Sequence, residues 1–193
     1  VNALAWHFRD NPDYDVDDPR LGLVHRIDKD TSGLLVIAKT PEAKTHLGTQ
    51  FFNKTTRREY VAVVWGDFPE PEGTIVGNIA RNPHDRLQMQ VFEDPSIGKH
   101  AVTHYKVIET FGYVSVVKCV LETGRTHQIR VHMAAIGHPL FGDALYGSPD
   151  DMLSRPALHS AYLSLRHPVT GETLELAAPL PDDLEKKMAA LRR

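Results

Sequence analysis

Residues 102–121 read VTHYKVIETFGYVSVVKCVL. Two extended runs, Val102–Ile108 and Tyr113–Leu121, lie on either side of Phe111-Gly112. Extended runs that flank a short glycine-containing connection predict an antiparallel hairpin. Because short connections join antiparallel rather than parallel strands, we expect this hairpin to belong to a largely antiparallel sheet.

Helix and strand signals both occur along the rest of the chain, and most strand connections are short, which predicts an α+β fold with a largely antiparallel sheet. Helices are indicated by capping residues and by apolar spacing, whereas strands are indicated by short apolar or alternating runs. Further strands are predicted at Leu34–Ala38, Tyr60–Trp65, Ala161–Leu165 and Thr173–Leu176, and helices after Thr40-Pro41, over Thr126–Ile136 and from Asp182.

Length and charge restrict the possible functions. A chain of 193 residues suits one domain with a sizeable core. The net charge of -3 excludes nucleic-acid binding through bulk positive charge, yet residues 21–66 and 101–147 together hold eleven basic and seven acidic groups. No run of about 18 apolar residues exists, so we expect no membrane span. The single cysteine, Cys119, cannot form an internal disulfide and favours a reducing, cytoplasmic setting.

The segment His25–Gly33, HRIDKDTSG, surrounds a carboxylate with basic side chains just before a predicted strand. A nearby guanidinium would keep Asp28 ionised and therefore available as a nucleophile or a base. The alternative is that Asp28 or Asp30 caps a turn, which is common in loops of this composition.

The segment Glu122–His132, ETGRTHQIRVH, delivers Arg125 to the start of a predicted helix, where free N–H groups favour anions. Arg125 could pair with a carboxylate, a phosphate, or both. His127 and Arg130 are three residues apart and share a face, although Arg130 and His132 could equally be solvent-facing positions of an amphipathic helix. His127 and His132 are five apart, a spacing that disfavours a shared metal ion.

Two further segments carry aromatic or glycine signals. Tyr60, at the end of Arg57-Arg58-Glu59-Tyr60, is either a packed strand aromatic or a ring that stacks on a base and exchanges a proton. Three glycines and a proline in Gly137–Gly147 mark a tightly determined loop, which we interpret as scaffolding.

In this order along the chain, these segments resemble the pseudouridine synthases of the RluA type, and most closely the RluD-like branch. That resemblance implies a long, mostly antiparallel mixed sheet flanked by helices and loops, with an RNA cleft across it. It also implies isomerisation of uridines in a stem-loop of 23S ribosomal RNA, by a monomer, without a metal or other cofactor. The matching residues are His25–Gly33, Arg58-Glu59-Tyr60 before Trp65-Gly66, Thr123–His132, His138-Pro139, Gly142-Asp143 and Tyr146-Gly147.

The resemblance also implies roles for individual residues. Asp28 matches the essential aspartate, Tyr60 the active-site tyrosine and Arg125 the basic partner of that aspartate. Arg26 matches the residue that occupies the gap left when the target base leaves its stack, and a guanidinium can stack on bases in that way. Ile129 matches an aliphatic residue that packs at the active site. We expect the remaining RNA contacts from four side chains: His25, Thr31, His127 and Arg130.

Relatives of this type begin with an earlier strand and usually carry an S4-type RNA-binding module. We therefore expect residues 1–193 to form a catalytic domain without these two parts, with weaker RNA binding than a full-length enzyme. Two alternatives remain at this point. One is a noncatalytic RNA-binding or ribosome-assembly factor, and the other is a hydrolase that uses Asp28 and His25.

Overall fold

In the computed structural model, which describes residues 2–13, 18, 20–147 and 153–192, one sheet runs through the whole molecule. The strands are β1 (Ser32–Gly33), β2 (Arg57–Trp65), β3 (Glu72–Arg81), β4 (Met89–Phe92), β5 (Lys99–Phe111), β6 (Val114–Leu121), β7 (Leu158–Arg166) and β8 (Thr173–Ala177). The helices are α1 (Asn2–Phe8), α2 (Pro41–Phe52), α3 (Gln128–Ala135) and α4 (Asp182–Leu191).

The sheet is mixed and almost entirely antiparallel. Its order is β1-β7-β2-β6-β5-β3-β4, and β8 pairs with β7 as well. The pairing of β1 with β7 is parallel, and every other pairing is antiparallel. The predicted hairpin is confirmed as β5 and β6, and the strands predicted at Ala161–Leu165 and Thr173–Leu176 are confirmed within β7 and β8, which pair antiparallel. The predicted α+β class is therefore confirmed.

Alternate side chains of β2 enter different cores, because successive residues of a strand point to opposite faces. Tyr60, Ala62 and Val64 pack with Ile129 and Met133 of α3 on one face of the sheet. On the other face, Val63 packs with residues of α4, among them Leu184 and Met188. Helices therefore cover both faces of the central strand.

Helix α2 begins as its capping residues predict, because the Thr40 hydroxyl accepts a hydrogen bond from the Ala43 N–H at 3.2 Å. Its buried Leu47 packs against Leu163 and Leu165 of β7. Arg58 of β2 lies opposite Leu163 in the register. Helix α2 is thereby placed beside the strand that carries Arg58 and Tyr60.

The predicted strand at Leu34–Ala38 is wrong. Only Ser32 and Gly33 form a strand there, followed by an isolated bridge between Ile37 and Leu23. The imidazole of His25 accepts a hydrogen bond from the Val36 N–H at 2.9 Å. The His25 side chain therefore satisfies the backbone N–H of Val36. In a longer strand, the carbonyl of a neighbouring strand would accept that hydrogen bond.

Candidate active site

A cleft of about 450 Å³ opens beside the first half of β2, between the C-terminal end of α2 and the start of α3. Two further chain segments complete it, the loop before β1 and the turn between β6 and α3. The lining residues are Val24, His25, Arg26, Ile27, Asp28, Thr31, Phe51, Phe52, Lys54, Arg58, Tyr60, Leu121, Glu122, Thr123, Gly124, Arg125, Gln128, Ile129 and Leu158.

Asp28 is half-buried and faces the start of α3. Its Oδ1 atom accepts a hydrogen bond from the His127 backbone N–H at 3.4 Å. Its backbone carbonyl accepts a bond from the Thr31 N–H at 3.1 Å, which closes a local turn through the backbone, whereas the alternative interpretation predicted a cap by an aspartate side chain. The turn uses the backbone of Asp28, so the carboxylate remains directed at the helix start and the cleft.

His127 reaches Asp28 through an unusual backbone conformation. Its φ of 55° lies in the left-handed region, which is uncommon for a residue other than glycine. Its Nδ1 atom lies 2.9 Å from the Tyr146 hydroxyl, which also accepts a hydrogen bond from the Met89 N–H at 2.7 Å. This contact ties the residue that binds Asp28 to the loop after α3.

Arg130 and Asp143 form a buried ion pair behind that contact. The Nε and Nη2 atoms of Arg130 donate to the two carboxylate oxygens at 2.6 and 2.8 Å. Asp143 raises the pKa of Arg130, opposing the effect of burial. The guanidinium also lies over the Tyr146 ring, 5.1 Å from its centroid. Arg130 therefore connects α3 with the Gly137–Gly147 loop.

Tyr60 lies in the floor of the cleft and is buried. Burial raises the pKa of its phenol, while a hydrogen bond with Ser160 and the charge of Arg58 act in the opposite direction. The structure therefore presents a neutral phenol at neutral pH.

The predicted site residues separate into two groups. Seven of them line the cleft: His25, Arg26, Asp28, Thr31, Tyr60, Arg125 and Ile129. The other two, His127 and Arg130, lie outside its lining and support it from behind.

Arg125 shares the cleft with Asp28 without touching it. No salt bridge within 4 Å joins them in the described part of the chain, and the Nε atom of Arg125 donates to the His100 carbonyl at 2.9 Å. The direct pairing of these two residues that the sequence suggested is absent from this structure. Both remain within one cavity that a substrate can bridge.

Arg130 and His132 are both buried, so their interpretation as solvent-facing positions is wrong. The carboxylate of Asp143 satisfies Arg130, and the Nδ1 atom of His132 lies 2.9 Å from the Thr103 hydroxyl. The RNA contact expected of Arg130 requires an accessible guanidinium, whereas this guanidinium is buried and paired with Asp143.

His25 is a neutral side chain in this site. Burial, aided by the charge of Arg58, lowers its pKa to about 4. Its ring stacks on Phe51 with centroids 4.5 Å apart. Because its Nε2 accepts the Val36 N–H, it acts as a structural acceptor in the cleft wall.

Two cleft residues, Arg58 and Gln128, lie within segments identified from the sequence but received no role of their own there. Gln128 Oε1 accepts hydrogen bonds from the Arg125 N–H and the Thr123 hydroxyl, which fixes the turn before α3. Arg58 could have been found from strand periodicity, because it precedes Tyr60 by two residues and therefore shares its face.

No group of three or more His, Cys, Asp or Glu side chains among the described residues is arranged to hold a metal ion. No described helix is long and apolar enough to cross a membrane.

Comparison with known proteins gives consistent matches. Residues 7–135 match the RNA pseudouridylate synthase family. The chain is 48% identical over 183 residues to ribosomal large subunit pseudouridine synthase D of Nitrosomonas europaea, covering 90% of this chain and 52% of that protein. It is 50% identical over 175 residues to an uncharacterized RNA pseudouridine synthase of Bacillus subtilis, covering 90% of this chain and 57% of that protein.

Solved structures agree with this match. Human RNA pseudouridylate synthase domain containing 1 superposes with a TM-score of 0.72 at 30% identity, covering 88% of this chain and 79% of that one. Human RNA pseudouridylate synthase domain containing 4 has the same fold, with a TM-score of 0.74 at 24% identity. The chain spans between 52% and 57% of the length of the two curated relatives above.

Proposed function

This chain belongs to the RNA pseudouridylate synthase family, and we propose that it isomerises uridine to pseudouridine in large-subunit ribosomal RNA. One observation carries the proposal: Asp28, Tyr60 and Arg125 come from three distant segments and line one cleft. A noncatalytic RNA-binding factor does not need that convergence. We propose further that the enzyme is a monomer and acts in the cytoplasm; the free, buried Cys119 is consistent with the reducing conditions of that compartment.

The target base has to leave its stack before its glycosidic bond can reach the cleft, which costs a few kcal/mol. Arg26 is exposed and contributes to the cleft lining. A guanidinium in that position can fill the gap in the RNA stack and offset part of the cost. We assign Arg26 this role.

Asp28 acts on the uridine that enters. The C1′–N1 bond breaks, the uracil rotates, and a new bond forms between C1′ and C5. The proton on C5 leaves and N1 gains one, so the RNA keeps its composition. The carboxylate serves as nucleophile or as electrostatic stabiliser, and the His127 N–H keeps it oriented.

Tyr60 and Ile129 form the apolar floor on which the uracil lies. A neutral phenol stacks on a base without introducing a second negative charge beside Asp28. A role for Tyr60 in removing the C5 proton requires the phenol to lose its own proton first. The charge of Arg58 favours that loss, whereas burial opposes it.

Carbodiimide mapping of large-subunit ribosomal RNA after incubation with the protein tests this function. We expect new pseudouridine stops at discrete uridines, with no change in RNA length or mass. RNA that is bound but unmodified would support the noncatalytic alternative, and shortened RNA would support a hydrolase.

A further inference from the structure

Arg58 is a buried cation in the wall of the cleft, and no carboxylate among the described residues forms an ion pair with it. The residue is 9% exposed, and its Nε has no hydrogen-bond partner among the described residues. Its Nη2 donates to the Glu122 backbone carbonyl at 3.4 Å, at the long end of the range. Burial lowers its pKa, as expected for a charge removed from water without compensation.

Arg130 shows how this protein treats a buried arginine that has a structural role. It is 7% exposed, and Asp143 receives two short hydrogen bonds from its guanidinium. Buried charges are normally paired in this way, and an unpaired donor in a native protein calls for an explanation. Arg58 is similarly buried, yet no such pairing exists for it in the described part of the chain, so its guanidinium is available to an anion from outside.

The surroundings of Arg58 leave space for its guanidinium, and neither carboxylate of the cleft lining forms an ion pair with it among the described residues. A Cβ atom at Gly124 would lie 2.6 Å from Nη1, so the absence of a side chain at that position leaves room for the guanidinium. The nearby aromatic ring of Phe51 is uncharged, and His25 is neutral. The Glu122 carboxylate is exposed and bonded to His104 at 2.6 Å. A ligand therefore has to supply the anion.

The charge of the cleft indicates which anion fits. Its lining carries four cationic side chains and two acidic ones, and is thus locally positive in a chain of net charge -3. Guanidinium groups bind phosphate oxygens through two parallel hydrogen bonds, and RNA carries a phosphate at every nucleotide. The cationic residues are Arg26, Lys54, Arg58 and Arg125, and the acidic residues are Asp28 and Glu122.

We infer that Arg58 is an RNA-binding residue whose guanidinium pairs with a phosphodiester next to the uridine held in the cleft. This inference rests on the proposed function, because it takes the entering strand to be RNA. It implies that the free protein gives up stability at Arg58 and recovers it as binding energy when the phosphate arrives.

Arg58→Met tests the inference, with Arg57→Met as the matched control. Arg57 precedes Arg58 on the same strand, carries the same charge, and is exposed on the opposite face beside Glu59. All proteins carry Asp28→Asn so that the RNA stem-loop is bound without turnover. Binding is measured by fluorescence anisotropy at several salt concentrations, and stability by thermal unfolding.

We expect Arg58→Met to weaken RNA binding about ten- to hundred-fold. The slope of log K against log salt should shrink by about 0.7–0.9, the change for one phosphate contact. The unfolding temperature should stay level or rise, because an unbranched apolar side chain replaces an uncompensated buried charge. Arg57→Met should change affinity by less than about threefold, as expected for an exposed charge.

A single methylphosphonate at each phosphate around the target uridine identifies the contact. At one position, the neutral linkage should weaken binding to the protein with Arg58 and leave Arg58→Met unaffected. Two results would overturn the inference. One is an equal loss of RNA affinity for both proteins at every methylphosphonate position. The other is an unchanged RNA affinity of Arg58→Met together with a large loss of stability. If Arg58→Met fails to fold, Gly124→Ala is the deciding variant, because it keeps the charge of Arg58 and displaces its Nη1 atom. Weakened RNA affinity of Gly124→Ala would support the inference. Unchanged affinity would overturn it.

The binding result is independent of the proposed reaction. Weakened binding by Arg58→Met with no pseudouridine formed by the unsubstituted protein would support the phosphate contact and contradict the enzyme. Pseudouridine formation by the unsubstituted protein, together with unchanged RNA affinity of Arg58→Met, would support the enzyme and contradict the phosphate contact.

Discussion

Replacing Arg130 by Met should destabilise the protein strongly, although no charge on its surface changes. Arg130 and Asp143 are both buried, and Asp143 is 0% exposed. The substitution keeps a long apolar side chain in place and removes the cation. It therefore leaves a fully buried carboxylate without its guanidinium partner.

Removing one member of a buried ion pair costs about 3–5 kcal/mol. Asp143 retains hydrogen bonds from the backbone N–H groups of Leu145 at 3.1 Å and Tyr146 at 3.3 Å, which places the expected loss near the lower end. For a domain of this size, each kcal/mol lowers the unfolding temperature by about 2–4 °C. A loss of about 3 kcal/mol therefore corresponds to a decrease of about 6–12 °C.

Thermal unfolding followed by far-UV circular dichroism measures this change at pH 7. The double variant Arg130→Met/Asp143→Asn serves as the control, because it removes the stranded charge and should regain part of the loss. A decrease below about 3 °C for Arg130→Met, or no recovery in the double variant, would refute the reasoning. Arg58→Met is the opposite case, since no carboxylate of the described residues is paired with its guanidinium and none would be left buried without a partner.

Two further predictions concern the contact between Tyr146 and His127 and the buried histidines His25 and His132. Tyr146→Phe removes the hydroxyl that contacts His127. We expect it to slow single-turnover pseudouridine formation about three- to tenfold and to leave RNA affinity unchanged. An unchanged rate would show that this contact does not orient Asp28. Burial lowers the pKa values of His25 and His132 to about 4, below the ordinary value near 6.5, so both stay neutral when folded while the unfolded chain takes up protons. The contribution of the two neutral histidines to the free energy of unfolding is complete above pH 6.5 and is lost as the pH falls toward 4. At pH 5 the loss is about 1–2 kcal/mol per histidine. Urea unfolding at pH 5 and pH 7 measures this loss, and equal free energies of unfolding at the two pH values would contradict the prediction.

Elements set by local pattern could be predicted from the sequence, and elements set by distant partners could not. The hairpin of β5 and β6 is contiguous, and its turn and apolar runs are visible together in residues 102–121. Strand β3 was not predicted from the sequence, and its pairing partner β5 lies 20 to 34 residues further along, from Ile79↔Lys99 to Glu72↔Lys106. The run at Leu34–Ala38 has strand-like composition, yet His25 takes one of its backbone N–H groups.

The site shows the same division. Asp28 was found because its acidic side chain stands among basic ones in a recognisable segment. The burial of Arg130 was missed because its partner, Asp143, lies thirteen residues away in a loop interpreted as scaffolding. The left-handed conformation of His127 was equally hidden, since glycine is the residue that usually signals such a position.

Tritium release from RNA that contains 5-tritiated uridine tests the central claim most directly, with Asp28→Asn compared against the unsubstituted protein. Asn keeps an oxygen that can accept the His127 N–H, so the fold and RNA binding should persist. The account predicts release by the unsubstituted protein and none above background by Asp28→Asn. Continued release by a folded Asp28→Asn protein would contradict the assignment of Asp28 as the residue that carries the reaction.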